Sequence, residues 1–260
     1  MLLSSPIGAF VRERDGWCFD PRIATLDVDP DLEIYLGDLP GRLQALSRQD
    51  APDDLEARLA RASVETRPPL RTAPMPDSRA KAQSRAAPLS RRRIEQARLR
   101  AGLHRLEALA PELGALRTRR VRVLEKGPKG GIACAPARAI PERLKDLSAF
   151  IARNRQRSWL LTAIYAYALF LLIHPYEDEN GRTARQLFAA MLQTGDDGGA
   201  PLAISSVIIL FEGEMSERMS NLVFRGSWAE FVSRISEIMR TYIDLSIEVT
   251  MGDYGDRIAG

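Results

Sequence analysis

The 260-residue sequence has few of the residues that build disulfide frameworks, cysteine metal sites or redox centres. Its two cysteines, Cys18 and Cys134, lie far apart and fit no metal or redox spacing, so we expect structural or incidental thiols. Only two histidines are present, His104 and His174. The composition therefore argues against a disulfide scaffold and against a cysteine-based metal protein.

The sequence also lacks a hydrophobic run of membrane-spanning length. The charge-free run from Ser158 to Ile173 has 16 residues, whereas a helix that crosses a bilayer needs about 20. Because this run is apolar on every side, we expect a buried helix that is surrounded by other helices. The N-terminus has no basic segment before its apolar residues, so we expect no secretory signal and a bacterial cytoplasmic location. Action after export into a host is left open.

Lysine is scarce, and the positive charge is local. The formal net charge is only +3, but nine basic residues lie between Arg79 and Arg105 against one acid, Glu95. A nucleic-acid groove would combine such a basic run with aromatic residues that stack on bases, and none is interleaved here. We therefore favour a solvated helix face, or a surface that steers an acidic protein, over a nucleic-acid partner.

The apolar periodicity predicts an all-α fold, a helical bundle with one small β-hairpin. We divide the chain into an N-terminal helical and linker region that could be regulatory (residues 1–85), a core (86–245) and a frayed C-terminal tail (246–260). Amphipathic helices are predicted at Asp54 to Val64, Ser90 to Leu109, Pro141 to Asn154 and Trp228 to Tyr242.

One segment within the core favours β-structure. Residues Arg120 to Leu124 and Gly131 to Cys134 flank a glycine-rich turn, which predicts a two-stranded hairpin. An isolated hairpin leaves a free strand edge that can accept an extended peptide. An ordinary surface hairpin is the alternative, and the local sequence does not separate the two.

The residues after the buried run end one helix and begin another. Pro175 cannot continue a helix, and Thr183 to Leu192 has the composition of a strong helix with Asn180 as its N-cap. The N-terminus of that second helix offers free N–H groups and the positive end of a dipole to a phosphate. Arg182 and Arg185 oppose this dipole unless a ligand with several negative charges is bound, which indicates a polyphosphate.

The loop between these helices carries residues that suit phosphate transfer. An ordinary histidine pKa near 6.5 allows His174 to take a proton from a hydroxyl at neutral pH. Asp178 can hold Mg²⁺, which usually keeps one or two protein carboxylates and several waters. The alternative is purely structural, with the loop carboxylates complementing a helix dipole, His174 capping the buried helix and the arginines pairing with acids.

The string HPYEDENGRTAR at residues 174–185 resembles the Fic family motif HPFx(D/E)GNGRxxR in residue identity and spacing. A motif of this length and fixed order is specific. The strings PLSRRRIEQ, GALRTRRVRV and PLAISSVI look like further parts of a Fic core, and the resemblance covers roughly residues 86 to 245. The chemically important matches are His174, Pro175, Asp178, Asn180, Gly181, Arg182 and Arg185.

The resemblance implies a protein adenylyltransferase, which moves AMP from Mg-ATP to a Tyr, Ser or Thr hydroxyl of a target protein. It implies that His174 is the general base, that Asp178 binds Mg²⁺ and that Tyr176 packs and anchors the loop. The target protein would dock on the hairpin, at about residues 120–137. The oligomeric state is left open, with a homodimer as one option. The implied phosphate ligands are Asn180 and the Gly181 backbone for the α-phosphate, and Arg182 and Arg185 for the β- and γ-phosphates.

Two features depart from the family pattern. Glu179, in the nucleotide-binding loop, takes the place of the first glycine of GNG. If its φ is positive, a non-glycine residue costs about 1–2 kcal/mol, and its carboxylate repels a polyphosphate. The family's inhibitory motif (S/T)xxxE(G/N) is not intact, because in RASVET Arg61 occupies the Ser/Thr position. Glu65 follows the spacing of the regulatory glutamate, and the alternative is an ordinary surface glutamate near a helix end.

These departures leave several functions open. The chain could be an active or a weakened adenylyltransferase, or a silent Fic domain that binds partners through the hairpin edge and the basic helix. It could also be a Fic enzyme that uses another donor or removes AMP.

Overall fold

Helices dominate the structure, and their apolar faces form one core, which confirms the all-α class. The predicted helix from Ser90 to Leu109 and the regulatory candidate Glu65 lie outside the described residues. The computed structural model describes residues 4–14, 16–47, 55, 58–59, 116–123, 132–192, 202 and 204–258. The helices are α1 (Leu39–Ser47), α2 (Ile140–Asn154), α3 (Trp159–Ile173), α4 (Asn180–Leu192), α5 (Ile204–Leu210), α6 (Glu212–Arg225) and α7 (Trp228–Ile258), with 3-10 helices at Pro30–Tyr35 and Ala137–Ala139.

Helix α3 is the centre of the bundle, as its charge-free sequence predicts. Nearly every one of its side chains is buried, and it packs against α2 and α4. Tyr165 of α3 stacks between Phe150 of α2 and Trp228 of α7, with ring centroids 5.9 Å and 3.6 Å apart. In the part of the chain that the structure describes, no helix is long and apolar enough to cross a membrane. The run is therefore a core helix.

Helix α7 follows the predicted apolar stripe but is longer than expected. Its apolar side chains from Trp228 to Tyr242 are buried, and the helix continues to Ile258. The tail that we expected to be frayed from residue 246 onward is therefore helical as far as Ile258. Buried Leu245 and Val249, which packs against the core, extend the stripe beyond Tyr242. Glycines weaken a helix by about 1 kcal/mol each, so they need not end one that packs on a core.

The N-terminal region contains a sheet that we did not expect from the sequence. Strands β1 (Ser4–Ser5), β2 (Gly8–Glu13) and β3 (Gly16–Pro21) are antiparallel and form one sheet. The helical interpretation of residues 1–85 is wrong here, because it overlooked the Asp-Gly pair before β3, a strong hairpin signal.

The contacts that attach the N-terminal sheet to the bundle include an aromatic pair and an ion pair. Phe10 of β2 stacks on Phe224 of α6 with ring centroids 5.5 Å apart. Arg143 of α2 binds both carboxylate oxygens of Asp20, at 2.7 Å and 3.0 Å. A bidentate arginine pair fixes orientation as well as charge. The sheet is therefore an integral part of the core.

The predicted hairpin is present. Strands β4 (Arg122–Val123) and β5 (Ile132–Ala133) are antiparallel, and the Cys134 N–H extends the pairing by donating to the Val121 carbonyl at 3.0 Å. Cys18 and Cys134 are buried free thiols, as expected for structural cysteines. We call Arg117, which precedes β4, and Ala135, which follows β5, the base of the hairpin. These residues contact the end of α3, and this contact places the hairpin beside the loop that carries the motif.

Candidate functional site

The candidate site is the loop of residues 174–179, which joins the C-terminal end of α3 to the N-terminal end of α4. The two helices pack together, so the loop closes a tight connection between neighbouring ends. A helix C-terminus exposes unpaired carbonyl groups, and a helix N-terminus exposes unpaired N–H groups. The loop thus lies where main-chain groups can orient side chains and bind an anion.

His174 ends α3 in a left-handed conformation, with φ 51° and ψ 63°. Its main-chain N–H donates to the Phe170 carbonyl at 2.9 Å, and Nδ1 of the ring lies 3.4 Å from the Leu171 carbonyl. A proton on Nδ1 would leave Nε2 as the basic nitrogen. Burial lowers the pKa of His174 to about 4, against the opposing effect of the Leu171 carbonyl. The imidazole is therefore neutral at pH 7.

The low pKa of His174 makes a testable prediction. In an NMR titration of ring-labelled protein, we expect the His174 signal to stay in its neutral position down to about pH 4. Because the unfolded chain takes up this proton near pH 6.5, acidification from there towards pH 4 should progressively destabilise the fold. His104→Ala identifies which of the two histidine signals belongs to His174. A His174 midpoint near 6.5 would contradict the burial argument.

Asn180 shapes the loop rather than capping α4. Its side chain is buried, with Oδ1 accepting the Tyr176 N–H at 2.9 Å and Nδ2 donating to the Tyr176 carbonyl at 2.8 Å. The predicted N-cap role is therefore wrong, because α4 begins at Asn180 itself and the carboxamide points back into the loop. Tyr176 is buried, and the centroid of its ring lies 6.5 Å from that of Phe170, as expected of a packing residue. Together they hold the loop in one shape.

Glu179 has φ 67°, so it occupies the left-handed region that favours glycine. The positive φ on which the expected backbone strain depends is therefore present. Its carboxylate binds Arg182, with Oε2 and Nε 2.8 Å apart. Its carbonyl accepts the Thr183 N–H at 2.9 Å, the first bond of α4. Glu179 thus combines an unfavourable backbone conformation with an ion pair to one of the predicted phosphate ligands.

The first turn of α4 presents the remaining motif residues. A Cβ atom added at Gly181 would lie 3.3 Å from Nη1 of Arg185, so the Arg185 side chain reaches back along the helix towards its N-terminus. The Arg182 side chain is 40% exposed and can be reached from solvent. The structure thus brings Gly181, Arg182 and Arg185 together at one helix end, next to the loop.

The geometry agrees with comparisons to known proteins. Residues 93–192 match the model of the Fic/DOC family. A crystal structure of a Fic family protein from Desulfovibrio desulfuricans G20 has the same fold, with a TM-score of 0.51 and 18% identity over 88% of this chain and 77% of that one. A search of curated proteins gave no match.

Asp178, the predicted magnesium ligand, lies within the matched residues 93–192. It is exposed at the loop, and its Oδ1 accepts the Glu179 N–H at 2.7 Å. Within the described ranges, no group of three or more His, Cys, Asp or Glu side chains is arranged to hold a metal ion. A single accessible carboxylate fits Mg²⁺ that is bound largely through nucleotide phosphates and water, rather than in a protein cage.

Arg117 also lies within the matched residues, and we did not select it from the sequence. It is only 2% exposed, although it lies in a run of arginines, which is typical of an exposed segment. Its guanidinium binds main-chain carbonyls at the end of α3, including that of His174 at 2.6 Å. No periodicity marks such a residue, because its side-chain partners at the end of α3 are 56 and 57 positions away in the sequence.

Proposed function

We propose that this chain is a protein adenylyltransferase that transfers AMP from Mg-ATP to a Tyr, Ser or Thr hydroxyl of a target protein. The observation that carries the proposal is the loop that Asn180 holds in place. This loop sets a neutral imidazole at the end of α3 and an anion-binding helix N-terminus with two arginines at the start of α4. A base and a phosphate site are what the transfer requires.

In the proposed reaction, His174 takes the proton of the target hydroxyl. The hydroxyl oxygen forms a bond to the α-phosphorus, the bond from that phosphorus to its bridging oxygen breaks, and pyrophosphate leaves. A neutral imidazole can accept this proton, and its burial keeps it neutral at pH 7. General base catalysis by a positioned side chain typically contributes about 10²–10⁴-fold to the rate.

The phosphates would bind at the N-terminus of α4. The main-chain N–H groups of Asn180 and Gly181 would contact the α-phosphate, while Arg182 and Arg185 would bind the β- and γ-phosphates. The Asn180 carboxamide is already bonded to Tyr176, so it would act by holding the loop. Asp178 would hold Mg²⁺, which offsets negative charge on the phosphate oxygens.

The target protein would dock on the edge of the β4–β5 hairpin. In the described residues these strands form a separate two-stranded sheet whose first strand pairs only with the second. An extended segment of the target could add to such an edge through main-chain hydrogen bonds, which would bring its hydroxyl residue towards the loop.

The Glu179–Arg182 ion pair favours a second candidate, a Fic domain that binds nucleotide weakly and acts as a protein-interaction module. Phosphate must displace the Glu179 carboxylate from Arg182 before it can use that arginine fully. A switch to another donor, or the removal of AMP, would use the same residues. These alternatives predict different products.

The decisive experiment identifies the transferred group. The purified protein is incubated with Mg²⁺ and each nucleoside triphosphate in turn, alone and with a lysate, and modified peptides are sought by mass spectrometry. We expect an AMP adduct on Tyr, Ser or Thr from ATP, and none when EDTA is present. A different adduct would identify another donor, and no adduct from any donor would favour the interaction module.

A further inference from the structure

The end of α3 is bound to the hairpin through four consecutive carbonyl groups, those of residues 172–175. Such carbonyls have no donor within the helix and must find partners elsewhere. Here every donor comes from the base of the hairpin. The bonds are Ala135 N to Leu172 O at 3.2 Å, Arg117 Nη2 to Ile173 O at 3.1 Å, Arg117 Nε to His174 O at 2.6 Å and Arg117 N to Pro175 O at 2.9 Å.

Arg117 makes most of this connection, and its guanidinium is buried to do so. It also donates to the carbonyls of Arg119 at 2.7 Å and Ala135 at 2.6 Å. All these bonds go to main-chain carbonyl oxygens, and those at the end of α3 lie at the negative end of the helix dipole, which favours a cation. Burial lowers the pKa of Arg117, but an arginine in such a site keeps its charge.

These bonds act on the residue that carries the base. His174 has a left-handed backbone, which a residue with a side chain adopts only when its surroundings hold it there. The Phe170 carbonyl holds its N–H at 2.9 Å, and Arg117 holds its carbonyl at 2.6 Å. With both flanking peptide groups bound, the direction in which the Cα–Cβ bond leaves the backbone is set.

We propose that Arg117 is a positioning residue for His174, and that it makes correct seating of the hairpin a condition for placing the imidazole. The same guanidinium that binds the His174 carbonyl also binds Ala135, just beyond β5. A displacement of the hairpin must therefore change the bonds at His174. The proposal rests on the proposed function, because it takes His174 as the base that acts on a target held at the hairpin.

A merely structural arginine would contribute to stability without affecting the imidazole, and Arg117→Lys separates the two roles. Lysine keeps the charge but replaces the planar guanidinium by a single ammonium group with three donors, so it cannot bind the same set of carbonyls. We expect the His174 ring signals in NMR to shift. We also expect kcat for AMP transfer to fall about 100-fold, the loss typical of a misplaced catalytic group, with KM for ATP unchanged.

Arg143→Lys is the matched control. Arg143 is another arginine with several bonds, 18% exposed, but its partners are Asp20 and Asp146, which are not residues of the loop. We expect this variant to lower Tm while the His174 signals and kcat stay at their wild-type values. Wild-type His174 signals in a folded Arg117→Lys protein would overturn the proposal. The NMR comparison decides this even if the wild type transfers no AMP, so a failure of the proposed function is recognised separately.

Hydrogen exchange in the wild-type protein tests the same connection if Arg117→Lys does not fold. The amides of Arg117, Ala135 and His174 donate to the carbonyls of Pro175, Leu172 and Phe170, respectively. If the hairpin base and the end of α3 form one unit, these three amides open with a common free energy. Rapid exchange at Arg117 and Ala135 beside a protected His174 amide would show that the hairpin moves independently, which would overturn the proposal.

Discussion

Replacing His174 by asparagine is expected to lower the rate of AMP transfer by about 10²–10⁴-fold, the usual contribution of a positioned general base. Asparagine removes the imidazole but tolerates the left-handed backbone that this position requires. The rate is measured by mass spectrometry of the modified target or of the automodified protein. His174→Ala is expected to show the same loss and to be less stable than His174→Asn, because alanine, unlike asparagine, bears a strain of about 1–2 kcal/mol at positive φ.

Two control measurements test whether the loss of transfer is specific to the His174 imidazole. His104→Ala removes the other histidine and should leave transfer unchanged, which controls for a general loss of imidazole. Binding of Mg-ATP to His174→Asn should remain near the wild-type value, because the base is not a phosphate ligand. Transfer that survives in both His174 variants would remove His174 from the mechanism.

Replacing Glu179 is expected to strengthen binding of Mg-ATP, by up to about tenfold, which corresponds to about 1.4 kcal/mol. The carboxylate on Arg182 opposes nucleotide binding, whereas the strained backbone at φ 67° is present before nucleotide binds and lowers stability instead. Glu179→Gln removes the charge and keeps the strained backbone. Glu179→Gly removes both, so the difference between the two variants isolates the effect of the backbone.

The affinities are measured by calorimetry and compared with thermal stability. We expect both variants to bind Mg-ATP more tightly than the wild type and to a similar degree, because the backbone strain is present with and without nucleotide. Stability should rise only in the glycine variant, by less than the 1–2 kcal/mol of relieved strain, because glycine also gains entropy in the unfolded chain. Equal affinities in all three proteins would show that Glu179 is harmless to nucleotide binding.

The same measurements separate the two candidate functions. An adenylyltransferase that Glu179 merely weakens should gain both affinity and transfer in Glu179→Gly. An interaction module should show no transfer in any variant. The ion pair by itself accounts for only a small part of the effect, because partly exposed pairs are typically worth 0–1 kcal/mol. The repulsion between the carboxylate and a bound polyphosphate is the larger electrostatic cost.

Local patterns predicted much of the fold. The charge-free run became α3, the glycine-rich turn became the β4–β5 hairpin, and the apolar stripes became α2 and α7. Each of these features is encoded over a few adjacent turns or residues. The N-terminal sheet was missed, although its turn signal is also local, because the Asp-Gly pair before β3 was overlooked.

The sequence alone determined which residues meet at the candidate site and that Glu179 stands where the family pattern has a glycine. His174, Asp178, Gly181, Arg182 and Arg185 lie within one short segment, so any helix–loop–helix arrangement of that segment brings them close together. Only the tertiary structure decided that Asn180 supports the loop and that Arg117 holds the carbonyl of His174. The physical reason is that a main-chain carbonyl looks the same at every residue. Which distant donor binds that carbonyl depends on tertiary packing, and the apolar periodicity of the sequence does not indicate the donor.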